Sequence, residues 1–385
     1  MKEMDFSFTP RQRLMRQAVR EFMEGECDPA VTLELAKKKQ FPWEIYRKAG
    51  QHGFLASYYP KELGGQGISL LDYCMMMEEM IRYDNRVGMA LSLGSIPAKA
   101  LLRFGNEEQK KKYLPKLTKG EAVASIAVTE PNHGSDIRFL DTRATKKGDE
   151  YILQGSKIFI TNADIADFYT VFAQTDPDAG PYRGISGFIV ERETEGVTAW
   201  DIGDKIGIKT TSSCSIEFKE VRIPKENLLG KENHGFIYIM EALNEGRIEI
   251  ASQAIGLARG AFDRALSHAK TREQFGQKIG KFQNIAHMLV EMSENIESAA
   301  LLCYKALWFF DQGKMDLATS LQAKVKCSLV AIDTCLKAMQ ILAGYGLFDE
   351  QFLPGYLGDA LATWLLEGTG QIQRNTVANQ ILGKL

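Results

Sequence analysis

The chain has 385 residues, 45% hydrophobic and 25% charged, with 47 Lys+Arg against 49 Asp+Glu and a formal charge of −2. This is an ordinary globular composition, long enough for two or three cores. Its near-neutral balance excludes the basic footprint of a nucleic-acid binder.

The opening Met1 to Phe8 has no apolar run and no cleavage signal, so no secretory leader is expected. No uninterrupted apolar run reaches the roughly 18 residues of a membrane span, and no membrane insertion is expected. Thr9-Pro10 pairs a capping residue with proline at a first helical position. Leu14, Met15, Ala18, Val19, Phe22 and Met23 then recur at helical spacing. Lys37-Lys38-Lys39 and Lys110-Lys111-Lys112 read as solvated helix surface. Gly64 to Gly67 forms a plain turn before a helix carrying Tyr73 to Met80, and a further helix follows Pro97 and ends at Gly105.

From about residue 122 the pattern turns to strands: Tyr151 to Leu153, Lys157 to Thr161, Phe168 to Ala173 and Gly187 to Val190. Cys214, Ile216 and Phe218 alternate with polar residues and so define one buried face. Asp176 to Gly184 is a loop, and Pro224 to Gly235 a linker back to helix. After Phe236, apolar residues at three- and four-residue spacing predict long antiparallel helices, one through Phe262 and Ala265, one from Ile285, one through Leu317 to Ile332. The predicted organisation is an N-terminal helical domain (1–121), a central β domain (122–232) and a C-terminal helical bundle (233–385). The six cysteines are scattered and read as reduced core residues of a cytoplasmic protein, and the five histidines show no metal-ligand spacing.

Several segments carry chemistry. Glu367 leaves the apolar run Leu361, Trp364, Leu365, Leu366 and enters the small-residue turn Gly368-Thr369-Gly370. Partial desolvation there disfavours its charged form and raises its pKa towards that of a useful base. Ala127 to Asp136 offers hydroxyls and tight-turn backbone to one ligand, although alone it also reads as a hairpin turn. Phe159 and Thr161 lie two apart on one strand face, and Arg272 to Gly276 sets a cation beside an aromatic at a helix break. Gln340 to Leu347 ends a helix at a glycine-rich turn.

These segments, in this order and spacing, resemble the acyl-CoA dehydrogenases over essentially the whole chain. The resemblance implies a mainly α fold with a central β domain: an N-terminal α-helical domain, a small β-barrel-like domain and a C-terminal four-helix bundle. It also implies a homotetramer with one FAD per subunit and electron-transfer flavoprotein as partner. By resemblance, Thr129 and Thr161 would bond the flavin ring edge and Phe159 would stand beside the ring. Ile126, Val128 and Gly134 would belong to the same cofactor set. Ser135 would serve the cofactor phosphate or the CoA pantetheine. Arg272, Phe275 and Phe282 would bind the FAD of a neighbouring subunit, with Gln283 near its adenosine end, joined by Gln340 and Gly344. Thr369 and Gln371 would reach FAD from the Glu367 turn. Asn244, Arg247 and Gly368 would contact the acyl-CoA.

The implied reaction is α,β-dehydrogenation, with Glu367 removing the α-proton and flavin N5 accepting the β-hydride. Relatives with the base on the earlier helix place it immediately before the arginine matched by Arg247. Here that residue is Gly246, while Glu245 lies about 100° around the helix, and Glu245 and Glu249 carry ordinary surface readings. His133, Phe139, Asn244, Ala343 and Gly355 depart from the family pattern; His133 is expected to face solvent or a subunit contact. Met89 to Ser95 and Leu366 are candidates to line an acyl pocket for a short- to medium-chain, branched or cyclic acyl-CoA. A reductase or oxidase of the same fold, and a non-catalytic helical scaffold, are the competing readings.

Overall fold

The computed structural model describes residues 7–94 and 96–383; Met1 to Phe6 of the opening segment and Ser95 lie outside the described residues. Helices come first: α1 (Pro10–Glu26), α2 (Pro29–Lys37), α3 (Trp43–Gln51), α4 (Leu70–Tyr83), α5 (Asn85–Leu93), α6 (Lys99–Phe104) and α7 (Glu107–Thr118). As the sequence predicts, Thr9 caps α1 with Pro10 in its first turn, and Gln12 completes a reciprocal capping box.

Strands follow: β1 (Ala124–Ala127), β2 (Arg143–Lys147), β3 (Glu150–Thr161), β4 (Phe168–Gln174), β5 (Ile185–Glu191), β6 (Val197–Asp201), β7 (Ser213–Pro224) and β8 (Leu228–Leu229). They form one sheet in the order β6-β7-β3-β2-β4-β5-β8, with β1 parallel on β4. The two short strands predicted at 151–153 and 157–161 are one long strand, β3, whose register against β7 slips at Leu153/Gly155 and Lys157/Ile160. Each slip bends the strand and re-aims side chains. The predicted linker also contains β8, which pairs with β5.

The C-terminal part holds α8 (Gly235–Thr271), a hairpin of β9 (Glu273–Gln274) and β10 (Gln277–Lys278), then α9 (Gln283–Asp311), α10 (Leu317–Leu342), α11 (Leu353–Leu365) and α12 (Gly370–Leu382). Helix α8 packs against α4, α9, α10 and α11. Consequently every residue from Glu245 to Ala258 is buried, charged ones included. Polar groups on such a helix must find partners inside the protein.

Asp359 of α11 joins the three parts: it accepts from Asn85 Nδ2 of α5 at 2.6 Å and from the Ile208 N–H of the β6–β7 loop. Burial pushes its carboxyl up to about 6. Gly207 and Gly358 let the same loop touch α11, since a Cβ on Gly207 would lie 2.2 Å from the Gly358 carbonyl carbon.

Two segments reach the mean hydropathy of a spanning helix when averaged over a window, Asn85–Phe104 at 1.2 and Leu317–Leu347 at 1.3. Both are packed into the body, 82% and 50% buried over those windows. All six cysteines are buried and free, as expected.

Candidate active site

Helix α11 stops at Leu365, and the chain reverses through Leu366 to Thr369 before α12 begins. Glu367 and Gly368 both take positive φ, 53° and 96°. Thr369 caps α12, its hydroxyl accepting from the Ile372 N–H at 3.4 Å. The last carbonyls of α11 have no donor within their own helix. Lys324, fully buried in α10, supplies one: its ammonium donates to the carbonyls of Leu366 at 2.6 Å, Gly368 at 2.7 Å and Trp364 at 3.3 Å. Arg247 Nε donates to the Glu367 carbonyl at 3.0 Å while its Nη1 holds Asn244 Oδ1 at 2.7 Å. Gln373 Nε2 adds a bond to the Gly368 carbonyl at 2.8 Å. The backbone of this turn is therefore held from three helices, and the Glu367 side chain is left for other work.

That side chain points at Gly246 of α8. A Cβ on Gly246 would stand 2.1 Å from Glu367 Oε2 and 2.3 Å from Oε1, so only glycine there admits the carboxylate. Glu367 Oε2 is buried and makes no hydrogen bond. Burial raises the pKa of the group above its ordinary value; the charges of Lys99, Arg247 and Lys324 oppose that rise and Glu245 reinforces it. The result is an unengaged acceptor oxygen beside three cations that favour the charged form.

Glu245 and Glu249 are not surface residues, contrary to the sequence reading. They are 2% and 0% exposed, because α8 is enclosed on all sides. Lys99, itself 2% exposed, pairs with Glu249 and lies 3.7 Å from Glu245, which also takes Arg103 Nε at 3.0 Å. Burial pushes the Glu249 carboxyl upwards against the pull of Lys99. Sequence reasoning missed Lys99 and Lys324. Lys324 stands three residues after Leu321 and one before Val325, a local pattern that does not show whether the lysine reaches solvent.

The expected cofactor residues fall in two clusters. In the β domain, Ile126 and Val128 lead from β1 to Thr129, whose carbonyl accepts from the Ile158 N–H at 3.0 Å. This bond ties the Thr129 loop to the second slip of β3. Phe159 sits in that slip with φ 60° and is 65% exposed, and Thr161 ends the strand. Beneath them Lys157 and Glu130 form a fully buried pair at 2.7 Å, with Lys157 also on the Val128 carbonyl at 3.0 Å and Glu130 accepting from the Thr142 N–H at 3.0 Å. Gly134 and Ser135 stand on the exposed loop that follows.

His133 is half-buried in that loop, with Nε2 3.3 Å from Asp141 Oδ1. Glu130, His133 and Asp141 bring ligand atoms within 4.8 Å of one another, a proximity that sequence spacing did not show. Glu130 is already occupied by Lys157 and backbone N–H groups.

The second cluster lies where α8 and α10 end and α9 begins. Arg272 caps α8 and stacks 5.9 Å over Tyr345, in the turn containing Gly344 just beyond the exposed Gln340. Phe275, 94% exposed with φ 51°, meets Phe282 edge-on at 6.1 Å, and Gln283 opens α9. Thr369 and Gln371 stand apart from this cluster, at the start of α12 beside the base.

Two unpacked aromatics held in left-handed backbone are costly in isolation. The first stands beside the Thr129 loop and Thr161, the second beside Arg272 and Gly276, a glycine with open space around it.

Family models for the acyl-CoA dehydrogenase N-terminal, middle and C-terminal domains match residues 9–121, 125–221 and 233–382. The chain belongs to the acyl-CoA dehydrogenase family. It is 39% identical to the short-chain specific acyl-CoA dehydrogenase of Clostridium acetobutylicum, over 98% of this chain and 100% of that protein. It is 37% identical to subunit CarC of the caffeyl-CoA reductase–Etf complex of Acetobacterium woodii, over 98% and 100%. Butyryl-CoA dehydrogenase from Megasphaera elsdenii superposes with a TM-score of 0.93 at 37% identity, covering 98% of this chain and 100% of that one. As a member of this acyl-CoA dehydrogenase family the chain is an FAD-dependent oxidoreductase.

Proposed function

We propose that this enzyme removes the α-proton and β-hydride of a short- to medium-chain, branched or cyclic acyl-CoA, with Glu367 as the proton acceptor. The observation that carries the reading is the unpartnered Glu367 Oε2 of a carboxylate resting against Gly246, where a side chain on α8 would occupy its place. FAD, when bound, supplies the hydride acceptor. The chain's own residues do the rest. Burial keeps Glu367 basic enough to take a proton. Lys324 and Arg247 fix the turn from the carbonyl side, so the carboxylate does not drift when the substrate enters. In this reading the Glu367 N–H polarises the thioester carbonyl as negative charge develops, a contact of the kind whose removal costs on the order of 3 kcal/mol. Thr129, Thr161 and Phe159 hold the flavin, and Arg272, Phe275, Phe282, Gln283, Gln340 and Gly344 serve the FAD of a neighbouring subunit. Ser135, Asn244, Arg247 and Gly368 face the CoA thioester.

The same reading makes the protein a cytoplasmic homotetramer that passes electrons to electron-transfer flavoprotein, and divides the chain near 121/122 and 232/233. The helix–strand–helix order and the exposed Phe275 cluster support it. A second reading, reduction of an enoyl-CoA with Glu367 returning the proton, is favoured by the reductase among the relatives.

Glu367→Gln tests the assignment. With FAD content unchanged, anaerobic flavin bleaching by a panel of acyl-CoAs should slow by at least about 10³-fold. A variant that bleaches at the wild-type rate removes Glu367 from the role.

A further inference from the structure

The face of α8 that meets the base carries more than the base requires. From Gly246, the positions on the same side one and two turns along the helix are Glu249 and Gln253, at axial rises of about 4.5 and about 10.5 Å. Both side chains are 0% exposed, and both keep an oxygen with no hydrogen-bond partner, Glu249 Oε1 and Gln253 Oε1. Gln253 uses its nitrogen on Ser92 Oγ of α5 at 3.1 Å, so the free oxygen is fixed in direction. Glu249 uses its other oxygen on Lys99. In the segment before α4, Tyr58 Oη is also buried without a partner. The Tyr58 hydroxyl lies close enough to Glu249 and Glu245 to feel both charges. Buried polar atoms left unpaired are rare and costly; here three share one region, immediately beyond the proton acceptor.

Resting on the reading of Glu367 as that acceptor, we propose that this patch is the far end of the acyl site. The acyl group it selects ends in a hydroxyl that donates to Gln253 or Glu249 and accepts from Tyr58. An apolar chain end would leave these oxygens unpaired, which is the stronger form of discrimination available to a binding site. A terminal carboxylate is disfavoured. It would join Glu245, Glu249 and Glu367, while the nearby cations Lys99 and Arg103 are already taken by Glu249, Glu245 and Glu241. The axial rises correspond to a few carbon–carbon bonds of about 1.5 Å each, hence a short chain.

The test compares matched acyl-CoAs of four, six and eight carbons, each as the plain alkyl, the ω-hydroxy and the ω-carboxy compound. Anaerobic flavin bleaching of the FAD-loaded enzyme is the readout. For at least one length the ω-hydroxy compound should have a kcat/KM about fivefold or more above both partners. Tyr58→Phe, which removes one oxygen, and Gln253→Leu should each lower that ratio at least about threefold. FAD content and circular dichroism show whether the variants fold, and the wild-type ratios stand without them. Bleaching by the alkyl compounds with a hydroxyl ratio below about fivefold at all lengths overturns this proposal alone. So does a ratio that both variants leave unchanged, or a preference for the carboxylate. Failure of all nine compounds where a branched or cyclic acyl-CoA bleaches the flavin overturns this proposal alone; failure of the branched and cyclic compounds as well overturns the dehydrogenase reading, and this proposal with it.

Discussion

At the scale of single residues, the site depends as much on a missing side chain as on a present one. Gly246 sits within a buried, uninterrupted helix, where alanine would be the better helix former by about 1 kcal/mol. Its presence is explained by the Glu367 oxygens that a methyl group would meet at 2.1 and 2.3 Å. The contact is with the end of a side chain, so Gly246→Ala should displace the carboxylate rather than unfold the helix. We expect kcat/KM with the best acyl-CoA to fall about 10²-fold, the usual consequence of a misplacement of about 1 Å. FAD content and the thermal midpoint should stay near wild type; a loss of folding with unchanged specific activity per bound flavin would contradict the assignment. Both members of this contact could be read in the sequence, Glu367 from its apolar approach and Gly246 from its place before Arg247. Lys324 could not, because a lysine among apolar helix residues has the same local pattern whether it reaches solvent or caps a distant helix end.

At the scale of elements, the turn after α10 shows a departure from the family pattern with a physical consequence. Ala343 caps the helix at φ 53°, ψ −130°, backbone territory that suits glycine and costs a residue with a Cβ roughly 1–3 kcal/mol. Ala343→Gly should therefore stabilise the protein by about 1 kcal/mol, seen as a higher midpoint in thermal or urea unfolding, with flavin bleaching unimpaired. Helix α1, with its Thr9 cap and apolar stripe, and α9, with its stripe alone, were legible because their patterns are local. The β3 strand was read as two pieces because the slips at Gly155 and between Lys157 and Ile160 interrupt its alternation. Helix α5 was read only as a candidate pocket lining. Every one of its residues is buried, so it has no polar face to reveal a period. Glu245 and Glu249 were misjudged for a related reason: charge on a helix implies solvent only when one face is free, and α8 has none where they stand.

At the scale of the whole molecule, the question is what covers the apolar outer faces of α9 and α10. Leu301 and Trp308 lie seven residues apart on α9, and Leu329 and Leu336 seven apart on α10, so each pair shares a face; all four are among the exposed large hydrophobics. Beside Leu329 runs a groove of about 550 Å³ lined by Leu302, Leu321, Val325, Val377 and Ile381. Exposed apolar side chains gathered on two helix faces beside a groove fit an association site. The homotetramer proposed above would bury it by symmetry, because identical faces can meet only about a common axis. Leu329→Glu with Leu336→Glu would set like charges across that axis in a desolvated contact. Light scattering coupled to gel filtration should then show a tetramer in the wild type and a dimer or monomer in the double variant, each subunit retaining its helical circular dichroism. Since Phe275 and Arg272 are proposed to serve a neighbour's FAD, the loss of partners should also lower flavin retention on dilution. A double variant that stays tetrameric and keeps its flavin would place the subunit contact on another face.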